Sequence, residues 1–256
     1  MQWLLGILGG ASVGLILGLV GGGGSILAMP LMIHVLGVHS AHIAIGTAAV
    51  AVSANALAQL ALNTRRGVVK WRCAAVFAAS GVFGATAGAA LGKRVDAQHL
   101  LILFGLLMIG VGIAMLRPRA AAGNSDVRLD MQSAVRLAPP LILLGFGAGA
   151  ASGFFGIGGG FLIVPGLILA TRMPLLAAIS SSLVAVAAFG LTTAASYAWS
   201  GLVDWRLAGI FILGGIAGAV LGSRIAVHLA GHKTALARVF AVLVIAVGAY
   251  VIASSR

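Results

Sequence analysis

The sequence predicts an all-α, polytopic integral membrane protein made of two homologous helical repeats. Three observations carry that prediction. Of 256 residues, 61% are hydrophobic and only 8% are charged, too little polar surface to coat a water-soluble domain of this size. Apolar runs near the length of a bilayer crossing recur along the whole chain. A Gly-rich segment, GLVGGGGSILAMP from Gly18 to Pro30, returns as GFFGIGGGFLIVP from Gly153 to Pro165. Gly18, Gly21, Gly23, Gly24, Leu27 and Pro30 are answered at one constant offset by Gly153, Gly156, Gly158, Gly159, Leu162 and Pro165, as an internal repeat requires.

The first repeat, residues 1–117, opens with the run Trp3 to Val20. No basic segment precedes it and it leads straight into the glycines, so a retained helix is expected and not a cleaved signal peptide. Four consecutive glycines, Gly21 to Gly24, cost more backbone entropy than any other four residues and mark a break in the helix. The following stretch, Ile26 to Leu36, would rise only ~16 Å against a hydrocarbon core of ~30 Å, and reads as a half-helix. Ile43 to Leu62, Cys73 to Leu91 and Leu100 to Leu116 complete the copy. A basic linker, 118–137, leads to the second repeat, 138–256. That copy has runs at Leu141 to Phe155, Leu175 to Trp199, Leu207 to Gly222 and Val239 to Ser254, with its own short element at Phe161 to Ala170. The echo extends to AIGT (Ala44 to Thr47) against AISS (Ala178 to Ser181), GVVKWR (Gly67 to Arg72) against GLVDWR (Gly201 to Arg206), and GAALGKR (Gly88 to Arg94) against GAVLGSR (Gly218 to Arg224).

The glycines fall into two classes. Gly81, Gly84 and Gly88, like Gly214, Gly218 and Gly222, have the small-xxx-small spacing of close helix packing. Those of the two breaks are consecutive and each precedes a short helix containing proline. Non-helical backbone at membrane depth must be buried in protein or line a wet cavity. A helix starting beyond such a break points unpaired N–H groups and its positive dipole end into that cavity, which favours an anion. Gly22, Gly23, Gly24 and Ser25 in the first copy and Gly158, Gly159 and Gly160 in the second are therefore candidate ligand contacts. No GxxxxGK[ST] pattern occurs and no strand precedes the glycines, so neither a phosphate loop nor a dinucleotide fingerprint is read here.

With these paired GxxGxGGGxxxxP-like segments, the AIGT and AISS helix starts and the GxVxWR loops, the chain resembles the TauE/SafE, or sulfite exporter, family of membrane proteins over nearly its whole length. The resemblance implies a polytopic permease for small anions, often sulfur-containing or organosulfonate, in the cytoplasmic (inner) cell membrane. The first break reads GGGGS and the second GIGGG, so the two copies differ at this point.

The charge inventory points the same way. All four acidic residues, Asp96, Asp126, Asp130 and Asp204, fall outside the apolar runs, whereas a cation carrier wants a carboxylate in the membrane. A coupling ion, H⁺ or Na⁺, and a homodimer are compatible with the sequence and not fixed by it. The net charge of +12 is spread over short loops, which is a topology signal and not a nucleic-acid surface. Arg65, Arg66, Lys70 and Arg72 crowd one loop, and Arg117, Arg119, Arg128 and Arg136 fill the linker, so both are expected in the cytoplasm. In the second copy the basic cluster Arg224, Lys233 and Arg238 lies one crossing later, as inverted repeats with both termini outside would give. Lys93 and Arg94 stand against the bias, and a parallel arrangement is the alternative.

Few polar side chains lie inside the runs. Thr47 and the cluster Ser180, Ser181 and Ser182 open matched helices, and their hydroxyls are candidate anion donors. Ser53, Thr192 and Thr193 are expected to bond back to their own helices. Asn55 faces Phe189 in the repeat alignment and is expected to make a helix-to-helix hydrogen bond. His34, His39 and His42 could titrate near neutral pH, but the second copy offers no match, so ordinary interfacial solvation is the preferred reading. The lone cysteine, Cys73, excludes an internal disulfide and a cysteine-based metal cluster; no metal or cofactor is expected. Two rivals remain. A membrane scaffold without transport would not need the paired breaks. An intramembrane serine hydrolase, suggested by GAASG at Gly149 to Gly153, lacks a histidine base at depth. The sequence is read as a permease with no enzymatic activity.

Overall fold

The computed structural model describes residues 2–20, 26–38, 40–64, 68–116, 131–155, 160–228 and 233–254. The described residues form helices joined by short connections, with no strand among them. In order these are α1 (Gln2–Val20), α2 (Ala28–Pro30), α3 (Ala41–Thr64), α4 (Trp71–Gly92), α5 (Ala97–Leu116), α6 (Met131–Phe155), α7 (Gly160–Thr171), α8 (Leu175–Trp199), α9 (Trp205–His228) and α10 (Lys233–Ser254). Among the described residues five apolar stretches are long enough to cross a bilayer: Ala41–Thr64, Trp71–Gly92, Arg136–Phe155, Ala177–Trp199 and Trp205–Ile225. The helices α1, α5 and α10, of 19, 20 and 22 residues, carry shorter apolar stretches. All four tryptophans, Trp3, Trp71, Trp199 and Trp205, are exposed at helix ends, where amphipathic rings meet a membrane interface.

The short element of the first half departs from the expected regular half-helix. Its single α-turn, α2, passes at Pro30 into a π-helical turn, Leu31–Val35, in which the Leu36 N–H reaches back to the Leu31 carbonyl at 3.1 Å. Proline supplies no N–H and crowds the carbonyl four residues before it, which loosens the ladder into the wider turn. Gly37, at φ 70°, then closes the element with a Val38 N–H to Met32 carbonyl bond of 3.0 Å, one residue wider than a Schellman closure, in keeping with the π-helical turn it ends. Its counterpart α7 is a regular helix through Pro165. It ends on Arg172, which holds the left-handed conformation at φ 57° without being glycine.

Helix packing rests on the spaced glycines, as their pattern predicts. Gly10, Gly14 and Gly18 of α1 meet the backbone of α9 at Phe211, Gly215 and Ala219, while Gly214, Gly218 and Gly222 of α9 meet Ile7, Ala11 and Leu15. On the other flank Gly84, Gly88 and Gly92 of α4 lie on Phe146, Ala150 and Phe154 of α6. Gly149 and Gly153 of α6 lie on Gly81 and Ala85 in return. Residue numbers rise together across both interfaces, so α1 runs parallel to α9 and α4 to α6. At the centre they oppose: Gly46 of α3 faces Tyr197 of α8, whereas Gly190 faces Ser53, so α3 and α8 cross antiparallel. The helices α5 and α10 are likewise antiparallel, with Gly105 beside Gly248 and Gly112 beside Ala241. Exchanging the first five helices for the second five leaves this set of pairings unchanged.

Lys93, the cation that defies the charge bias, is engaged by the central helix. Its Nζ donates to the Ser196 carbonyl at 3.2 Å, Ser196 Oγ at 3.0 Å and Ser200 Oγ at 3.1 Å, and lies 5.7 Å from the Tyr197 ring centroid.

Candidate functional site

Two hydroxyls chosen from sequence are joined to loops of the opposite half. The Lys70 N–H donates to Ser181 Oγ at 2.9 Å, and the Asp204 N–H donates to Thr47 Oγ1 at 3.0 Å. Lys70 and Asp204 hold the same place in the two GxVxWR loops, and Thr47 and Ser181 the same place in AIGT and AISS, so one interaction occurs twice with the halves exchanged. A hydroxyl that accepts an N–H keeps its own proton to donate. Asp204 also caps α9, its Oδ1 accepting the Leu207 N–H at 3.0 Å, an ordinary N-terminal role for a carboxylate.

Because α3 and α8 are antiparallel and both hydroxyls sit near helix starts, Thr47 and Ser181 lie at opposite ends of the crossing, roughly 20 Å apart along its axis. A single small ion cannot touch both. Ser182 Oγ bonds back to the Ile179 carbonyl at 2.8 Å, and Ser180 is half-buried beside it. Gly160 begins α7. Gly22, Gly23, Gly24, Ser25, Gly158 and Gly159 lie outside the described residues.

The expected back-bonds are present at Ser53, to the Val50 carbonyl at 2.9 Å, and at Thr192, to the Ala188 carbonyl at 2.8 Å. The one expected at Thr193 is absent. Thr193 Oγ1, Gln59 Nε2 and both polar atoms of Asn55 are buried with no hydrogen-bond partner among the described residues. Asn55 is 0% exposed. Its amide lies on Gly215 of α9, where a Cβ would collide with Nδ2, Cγ and Oδ1. The expected helix-to-helix hydrogen bond is not made, since a glycine Cα beneath the amide offers it no acceptor. Leaving a buried amide unmet costs about 1–3 kcal/mol per group. In the other half the matched Phe189 lies over the matched Gly81 and stacks on Phe77 at a centroid distance of 6.3 Å. Identical glycine seats thus hold an amide in one half and a ring in the other.

Asn55 marks the middle of the crossing. Gly215 also receives Gly14 of α1, and Gly18 lies further along, at Ala219 and Gly222. Gln59, one turn beyond Asn55 on the same face of α3, is therefore level with the last turn of α1, which ends at Val20 where the first Gly-rich segment starts.

Two of the three clustered histidines, His34 and His42, are among the described residues. His34 Nδ1 lies 3.2 Å from the Pro30 carbonyl and its Nε2 2.8 Å from Ser254 Oγ, which ties the short element to the end of α10. His42 is half-buried with no partner described for Nε2, and His39 lies outside the described residues. No cluster of three His, Cys, Asp or Glu capable of holding a metal occurs among the described residues. Ser152, the nucleophile of the hydrolase rival, is buried at 0% exposure in α6. Its hydroxyl has no partner to act as base among the described residues.

Comparison with known proteins agrees with this architecture. The family model described as Sulfite exporter TauE/SafE matches residues 6–251. A probable membrane transporter protein of Xylella fastidiosa (strain 9a5c) is 54% identical over 95% of this chain and 92% of its own length. The probable membrane transporter protein YunE of Bacillus subtilis is 25% identical over 88% of this chain and 89% of its own. No solved structure matches. The chain belongs to the TauE/SafE sulfite exporter family, and is a multi-pass membrane transporter rather than an enzyme.

Proposed function

We propose that the chain moves a small anion, a sulfur oxyanion or an organosulfonate of sulfite-like character, across the cytoplasmic membrane by alternating access. The observation that carries this reading is the antiparallel crossing of α3 and α8, free of carboxylates along both helices. Paired helices whose sense reverses between halves are the geometry of inverted repeats, in which broken helices meet a midplane site. In this reading the backbone N–H groups of Gly22, Gly23, Gly24 and Ser25, and of Gly158, Gly159 and Gly160, receive the anion from two sides. Thr47 and Ser180 to Ser182 serve in succession and not together: Thr47 receives the ion at one mouth and Ser181 releases it at the other. Each flank, α1 on α9 and α4 on α6, combines one helix from each half through a glycine-to-backbone contact. These flanks would move as rigid bodies, and the change of access would occur at the α3 and α8 crossing.

Flux into liposomes tests the reading. Purified protein should accumulate sulfite, thiosulfate or 2-hydroxyethanesulfonate above protein-free vesicles; no flux of any of the three would refute an anion permease of this class. Orientation is a separate expectation. With the basic loop before α4 and the linker inside, both termini lie outside, so a reporter active only in the cytoplasm should be silent when fused after Arg256 and active when inserted near Asp126. Strong activity at the C-terminus would remove the inverted arrangement.

A further inference from the structure

We propose that Asn55 and Gln59 are solute-contacting residues, the amide donors that hold the anion's oxygens at the middle of the membrane and make the site one-sided. The inference rests on the permease reading and names the side chains of its site. Both lie on one face of α3, a turn apart, and both carry buried polar atoms without a partner among the described residues. The unmet groups include a donor on each residue, Nδ2 and Nε2, which is the chemistry an oxyanion satisfies. Buried polar groups in native proteins are met by protein, water or ligand, and an amide resting on a glycine backbone has been given room and no protein partner. The mirrored seat over Gly81 shows that the fold accepts an apolar side chain there, since Phe189 fills it. Packing alone therefore does not require asparagine at position 55. The asymmetry has a consequence for specificity: the first half supplies two amides where the second supplies Phe189 and the single hydroxyl of Thr193, so the ion is held off the axis relating the halves.

Asn55→Leu separates the readings, because it keeps the volume and removes the unmet amide. If nothing binds at Asn55, the change relieves an uncompensated polar group, and the melting temperature should rise or hold while anion affinity stays normal. If Asn55 holds the anion, the melting temperature should again rise or hold, but the Kd for sulfite or thiosulfate, measured by titration on protein in detergent, should rise about tenfold, equivalent to ~1.4 kcal/mol. Gln59→Leu should behave alike and carries the test if the first variant does not fold. Unchanged Kd in the folded variants, with wild-type protein binding normally, would overturn the inference and leave the amides to water. A wild-type protein that binds none of these anions would instead refute the permease reading. Repeating the titration in sodium and in choline salts guards the assignment: a changed sodium dependence at constant anion Kd would transfer Asn55 to a cation and sink the proposal.

Discussion

Gly88→Leu should leave no folded protein to purify, whereas Gly147→Leu should extract as a single species at least as stable as the parent. Both glycines belong to the α4 and α6 pair, and both substitutions improve intrinsic helix propensity, Gly being ~1 kcal/mol worse than good helix formers in an interior position. Surroundings decide the difference. A Cβ on Gly88 would fall on the Ala150 carbonyl and the Phe154 nitrogen, whereas one on Gly147 meets nothing within 4 Å. Side-chain neighbours can shift at a cost of ~1–3 kcal/mol, but backbone cannot move aside without separating the helices. Separation would also pull Gly84, Gly92 and Gly149 out of contact, so the loss spreads along the interface. Size-exclusion elution and melting temperature in detergent measure both variants. Equal behaviour of the two would mean that α4 and α6 do not pack as described.

How far the fold could be read in advance depended on the kind of interaction. Apolar length and the spaced-glycine contacts are local patterns, and each appears where the sequence placed it. The π-helical turn after Pro30 was not legible, because the same proline is absorbed in a regular helix at Pro165 and the choice lies in surroundings the local pattern does not contain. The hydroxyls show the limit most clearly. Thr47 and Ser181 are read from sequence as anion donors, whereas the partners their oxygens have in the structure are loop N–H groups more than a hundred residues away, and no spacing rule reaches that far. A signal was available all the same: both the hydroxyl and the loop are matched across the repeat, and a repeat that pairs with itself by exchange brings such matches together. Asn55 was misread because an amide among apolar residues is usually bonded to another helix. The mismatch with Phe189, which suggested an idiosyncratic structural bond, is better read beside the matched glycine seats.

Gly23→Ala and Gly158→Ala should each lower anion affinity by an order of magnitude or more with modest loss of stability, while Gly84→Ala should do the reverse. The physical warrant for the first two is sequence chemistry. Consecutive glycines at the breaks lack the four-residue spacing that packs helices, and a Cβ there either enters the path of an ion approaching backbone N–H groups or forbids a φ above zero. Charge-assisted bonds to an anion are worth ~1.5–3 kcal/mol each, so disturbing one or two suffices for the expected drop. Gly84 supplies the contrast because its Cβ position is taken by the Phe146 carbonyl, a contact inside the packed flank. A methyl there presses on backbone, so it should cost more stability than the ~1–3 kcal/mol of a side-chain clash and leave the affinity of the fraction that still folds unchanged. The comparison is anion Kd beside melting temperature for the three variants. Parallel losses of stability at all three with unaltered Kd would reduce the Gly-rich segments to packing devices, and the anion would then have to be held by the side chains of α3 and α8.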